Sequence, residues 1–380
     1  MRPLRIAGGE VLLPEAGFVA DDLWLVDGRI AAYGESGAAV LDARGLKVLP
    51  GIIDIHGDAF ERQLQPRPGV DFAPALALAE TERQLLANGI TTALHGVTLS
   101  WEPGLRGIDT WRAVVEALHA RAWVCDMRIH LRWEAYNLAA LDTALADIAA
   151  GHVHLLAFND HTPAILRRVP HPVQGAKYSD RAGMSLEQFR ALADAVGARA
   201  AEVEPALDRI AAAARAAGLP MASHDDATLA ARETFRRRGA RICEFPVAAE
   251  VAEAAAAAGD YVAMGSPNVV RGFSHLGWAS AAAMAEAGIC RVLTSDYFYP
   301  CLLLAPFVLA QRGVLDLAAA WALVSANAAD AACLPDRGRL LPGLRADLVL
   351  VAGDGDRPRP VATIAAGRLA WISAEGADRL

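Results

Sequence analysis

Eight short apolar runs recur through the middle of this chain, with helix-length stretches between most of them, and this alternation limits the fold more than any other feature. The runs are Gly51–His56, Gly89–Gly96, Trp123–Arg132, Val153–Asn159, Pro220–His224, Arg241–Pro246, Tyr261–Met264 and Arg291–Ser295. A helical pattern such as "SLEQFRALADAVGARAAEVEPALDRIAAAARAAG" stops where Gly218 and Pro220 break it. Strand–helix alternation repeated eight times over roughly 250 residues is the pattern of a (β/α)8 barrel. A doubly wound sheet alternates similarly, but the chain carries no glycine-rich phosphate loop to support one.

Both ends read differently. The first 50 residues alternate apolar runs with turns, and Asp27-Gly28 between two such runs is a hairpin signal. The far end repeats the style in "GLRADLVLVAGD" and "RPVATIAAGRLAWIS". The expected organisation is an α/β chain in which residues 51–336 form the barrel and residues 1–50 and 337–380 together form a small flanking β-sandwich.

Composition narrows the partners. A formal net charge of −8 over 380 residues argues against nonspecific binding to nucleic acid or a membrane surface. The five cysteines form no C-x-x-C pair and read as reduced core residues. The start lacks the apolar stretch of a signal peptide, and no apolar run approaches the ~20 residues of a membrane span. The expectation is a cytoplasmic protein acting on a small molecule, with a homo-oligomer left open.

The barrel reading makes a sharp demand, because catalytic side chains of such barrels gather at the C-terminal strand ends. The first run ends in "HGD", where His56 and Asp58 point the same way if the strand continues. Such a pair can bind a metal, share a proton or cap a turn. The third run leads to Glu134, the fourth to Asp160 and His161, the fifth to His224, Asp225 and Asp226, and the eighth to Asp296. One polar residue after a strand is more often a turn or helix cap; five sets on five strands are harder to explain that way.

The stretches "PGIIDIHGD", "PRPGVDF", "GITTALHG", "NDHTP", "KYS", "MASHDDAT", "EFP", "MGSPNVVRGFSH" and "LTSDYFYPCLL", with "GLRADLVLV" near the end, resemble the amidohydrolase superfamily. Within it they look like the diphosphatases of the carbon–phosphorus lyase pathway. That resemblance implies hydrolysis of a ribose 5-triphosphate with release of pyrophosphate. It also implies one or two divalent ions, zinc foremost and otherwise manganese or iron, on His56, Asp58, His224 and Asp296. Many amidohydrolases bridge two ions with a carboxylated lysine. The only lysines here are Lys47, ahead of the first run, and Lys177, in the loop-like "QGAKYSD". Glu134 is the expected substitute, and His161 the sixth ligand unless Asp160 replaces it. Asp296 is also expected to take a proton from the attacking water. Arg62, Arg67, Lys177, Arg271 and His275 are expected to surround the phosphates, since arginine offers a bidentate fork. Two other readings stay open: a deaminase, deacetylase or other amide hydrolase on the same scaffold, and a catalytically dead scaffold, which would have lost ligands.

Overall fold

A computed structural model of the chain describes residues 2–34, 37–67, 69–272, 280–353 and 357–380. Eight parallel strands form one sheet in strict chain order: β1 (Ile52–Gly57), β2 (Ile90–Leu99), β3 (Asp126–Glu134), β4 (Leu155–Asn159), β5 (Met221–His224), β6 (Ile242–Glu244), β7 (Tyr261–Gly265) and β8 (Cys290–Thr294). Every residue of β1, β2, β4, β5 and β6 is buried. That is the state of a parallel strand with helices outside and packed side chains inside. The expected strands all appear, displaced by three residues at most. β3 runs to Glu134, so this carboxylate belongs to the strand and does not follow it.

The sheet closes on itself at the mouth. An isolated parallel bridge joins Gly57 to Asp296. The Asp296 amide donates to the His56 carbonyl at 3.0 Å, and the Asp58 amide donates to the Asp296 carbonyl at 2.9 Å. Beneath this bridge the buried Asp54 carboxylate accepts from the Ser295 amide at 3.0 Å, the Ser295 hydroxyl at 2.5 Å and the His56 amide at 3.3 Å. Only glycine fits between: a Cβ on Gly57 would lie 2.6 Å from Asp54 Oδ2 and 2.8 Å from Ser295 Oγ. At the opposite end, Ile53 and Leu293 turn their amides to the carbonyls of Val324 and Leu323. A loop thus fills the gap where β1 and β8 part.

Strands from both ends of the chain build the second sheet, which is mixed and also eight-stranded. Its middle is the antiparallel pairing of Lys47–Pro50 with Leu348–Ala352. The Asp27-Gly28 turn is as expected: Val26 pairs with Arg29, and both loop residues take positive φ, 47° and 80°. Lys47 lies in this sheet, bound to Glu10 at 2.8 Å.

Between β4 and β5 the chain makes its longest excursion, through helices Thr162–Arg168, Pro172–Ala182, Leu186–Gly197 and Val203–Ala216. The single helical pattern read from sequence here is two helices, parted after Gly197 by a 3-10 turn at Ala200–Glu202. Ser185 and Gln188 cap the first reciprocally. Ile165, Val169, Ala182, Phe189 and Ala193 give the excursion a small core of its own. Among the described residues no helix is long and apolar enough to cross a membrane.

If the Asp54 contacts close the barrel, Asp54→Ala should destabilise the protein by about 3 kcal/mol, since three buried donors lose their acceptor. Urea unfolding monitored by circular dichroism measures this; a loss below about 1 kcal/mol would refute the role.

Candidate metal centre

Three imidazoles from three strands meet at the mouth. His56 is the last residue but one of β1, His224 ends β5, and His161 follows β4 by two residues. The rings of His56 and His224 stack 5.2 Å apart at 12°, and His161 meets His224 edge-on at 5.7 Å. A carboxylate holds each ring from behind. Glu244 Oε2 lies 3.0 Å from His56 Nδ1 and 3.4 Å from His224 Nδ1, and Glu134 Oε2 lies 3.1 Å from His161 Nδ1. Glu134 has little left for an ion, because its Oε1 also accepts from the His161 amide, the Thr162 amide and the Thr162 hydroxyl. It caps the helix after β4 while orienting His161. Burial keeps His56 and His224 well below the usual imidazole range, so both are neutral and each retains one lone pair. Burial opposes protonation of His161 as well, but hydrogen bonds to Asp225 and Glu134 carry it up to about 9.

Half-buried carboxylates complete the rim. Asp225 lies 3.4 Å from His161 Nε2 and 3.6 Å from His224 Nε2. Burial and the charge of Glu61 raise Asp58 to about 6, and burial with the charge of Asp58 raises Asp296 to about 7. Burial also lifts Glu244 to about 7. Three residues just past strand ends, Asp225, Phe245 and Asp296, hold left-handed backbone with φ of 58°, 51° and 55°. Non-glycine residues occupy that region at a cost, and it clusters at functional sites.

A guanidinium sits among these groups. Arg132, buried on β3, donates through Nη1 to Asp58 at 3.2 Å and through Nη2 to His224 Nε2 at 3.1 Å. Gly96 makes room for it, since a Cβ there would stand 3.1 Å from Arg132 Cδ.

The donor set fits a divalent ion. His161, His224 and Asp225 bring ligand atoms within 4.8 Å of one another. Imidazole nitrogen with carboxylate oxygen suits zinc, manganese or iron. Two adjacent aspartates pushed towards neutrality are what a nearby cation would relieve. An ion held by His224 Nε2 would take the lone pair that Arg132 uses, and the guanidinium would keep its contact with Asp58.

The expected phosphate-binding cations are spread more widely. Arg62 is exposed, yet near enough for its charge to bear on Asp58. Arg271, also exposed, is 3.4 Å from the hydroxyl of Tyr297, the residue after Asp296. Arg67 is exposed in a turn with Val70, and Lys177 is exposed within helix Pro172–Ala182, where a loop was expected. His275 lies outside the described residues. Asp160 lies beside His161, and partial desolvation with the charge of Glu134 raises its carboxyl to about 6. Arg132, Glu244 and the placing of Asp225 beside two imidazoles were not read from sequence. The available signal was a charge inside an apolar strand, in "HLRWE" and "ICEFP".

No family model matches the chain. Over 350 residues it is 33% identical to the α-D-ribose 1-methylphosphonate 5-triphosphate diphosphatase of Escherichia coli (strain K12), an alignment covering 89% of this chain and 93% of that one. A dihydroorotase of Pelotomaculum thermopropionicum is 48% identical over 58 residues, 14% of each chain. Among solved structures, an amidohydrolase from an environmental sample of the Sargasso Sea superposes with a TM-score of 0.66 at 17% identity, covering 97% of this chain and 93% of that one. The β-aspartyl dipeptidase of Fervidobacterium islandicum gives 0.63 at 14% identity, covering 98% of both. The chain therefore belongs to the amidohydrolase superfamily, among the metal-dependent hydrolases, in the family of the ribose 1-methylphosphonate 5-triphosphate diphosphatase.

Proposed function

We propose that the protein hydrolyses α-D-ribose 1-methylphosphonate 5-triphosphate to the 5-phosphate and pyrophosphate, in phosphonate utilisation. The observation that carries this reading is similarity to such a diphosphatase along nearly the full length of both chains. His56, Asp58, His161, His224, Asp225 and Asp296 are the residues that would hold one or two ions. An ion so held lowers the pKa of water and neutralises phosphoryl oxygens.

The remaining chemistry belongs to side chains. The water oxygen bonds to the α-phosphorus, the bond from that phosphorus to the bridging oxygen breaks, and pyrophosphate leaves with its electrons. Asp296 takes the proton of the water at its carboxylate. Arg132, whose Nε has no hydrogen-bond partner among the described residues, is a guanidinium set among the reacting groups, and it neutralises charge developing on the phosphoryl oxygens. Arg62 and Arg271 at the rim bind the outgoing phosphates. A second reading, amide hydrolysis on the same residues, draws on the short similarity to a dihydroorotase. Pyrophosphate release from the ribose triphosphate, against ring opening or ammonia release from an amide substrate, separates the two.

Asp296→Asn should lower kcat by about a thousandfold with the melting temperature unchanged; activity within tenfold of wild type would remove Asp296 from the chemistry. Dialysis against a chelator should abolish turnover, and added Zn2+ or Mn2+ should restore it. Full activity after exhaustive chelation, checked by elemental analysis, would overturn the metal-dependent reading.

A further inference from the structure

Glu244 shows a feature that metal binding alone does not require: one carboxylate oxygen serves two imidazoles from different strands. Its side chain is fully buried at the end of the three-residue strand β6. Oε2 faces His56 Nδ1 at 3.0 Å and His224 Nδ1 at 3.4 Å. In its ionised form Glu244 only accepts hydrogen bonds, and with that form each Nδ1 carries the proton. A neutral imidazole has one N–H, so the lone pair of each ring then lies on Nε2.

An independent contact agrees. Arg132 Nη2 stands 3.1 Å from His224 Nε2. A guanidinium only donates, so this nitrogen must accept, and the His224 proton belongs on Nδ1, towards Glu244. Two neighbours on opposite sides of one ring thus require the same tautomer. Phe245 fixes the ring planes, meeting His56 and His224 edge-on at 4.9 and 5.3 Å. Below, His130 donates through Nδ1 to the Ile55 carbonyl at 2.9 Å, which leaves its Nε2, 3.8 Å from Glu244, as an acceptor that does not compete.

We propose that Glu244 is a positioning residue that sets the tautomers of His56 and His224 together, turning both Nε2 lone pairs to the metal, and is not itself a ligand. This rests on the reading that the mouth holds a divalent ion. Carboxylate partners of metal-bound histidines typically contribute 10–100-fold in metal affinity. A carboxylate shared by two ligands should lie at the upper end of that range.

The test uses the full-length protein, labelled with 15N in its histidine rings and titrated with Zn2+. In the wild type, both rings should show a protonated Nδ1 and a Zn2+-shifted Nε2. Glu244→Gln and Glu244→Ala should weaken Zn2+ binding by about 10-fold and about 100-fold in chelator competition, without changing the number of ions bound. Zn2+ on the Nδ1 of either ring in the wild type would overturn the proposal, and this measurement needs no variant to fold. So would wild-type affinity in a folded Glu244→Ala protein, or loss of a whole bound ion in Glu244→Gln. A wild type that binds no Zn2+ would overturn the metal reading and with it this role, and would be distinguished by unshifted Nε2 signals in both rings.

Discussion

The contacts that shut the barrel also set the position of the chemistry. Asp54 ties β1 to Ser295, and directly above it the Gly57–Asp296 bridge brings the last strand against the first. His56 and Asp58 flank one side of that bridge, and Asp296 is the other. Residues some 240 positions apart therefore meet because two strands share their last hydrogen bonds. The buried Asp54 carboxyl, raised to about 6 mainly by desolvation, is tolerated because amide and hydroxyl donors surround it. Any distortion of this junction moves three expected ligands together.

Electrostatics at the mouth follow from the same closure. Asp58, Asp225, Asp296, Glu134 and Glu244 are drawn into a small, poorly solvated space with Arg132 as the cation in direct contact with two of the site's groups. Left-handed backbone at Asp225, Phe245 and Asp296 shows that the chain accepts local strain to aim these positions. Rigid strands beneath and satisfied hydrogen bonds behind the rings hold that strain in place.

Much of this was legible in the sequence, for physical reasons. Buried parallel strands are continuous apolar runs, and a polar residue ending such a run stands out, so His56, His224 and Asp296 could be read directly. Asp27-Gly28 declared its turn because few other pairs accept two positive φ values. Other features depend on distance across the fold. Glu134 looks like a ligand from its place at the end of β3, but four hydrogen bonds from His161 and Thr162 also engage it. Arg132 lies inside β3 and Glu244 at the end of the short β6, where one sequence alone cannot separate a buried functional charge from a misplaced strand boundary. The break after Gly197 within a nearly unbroken helical pattern reflects packing of the excursion on its own core, which periodicity does not encode.

The sheet shared by both ends also bears on how the molecule is made. Its middle pairs Lys47–Pro50 with Leu348–Ala352, so the earlier strand lacks this neighbour until every barrel strand between them has been made. Closing so long a loop is entropically slow, and the waiting edge is open to other pairings. Assembly of the barrel first would bring the two halves together, making the catalytic body a template on which the outer sheet completes itself.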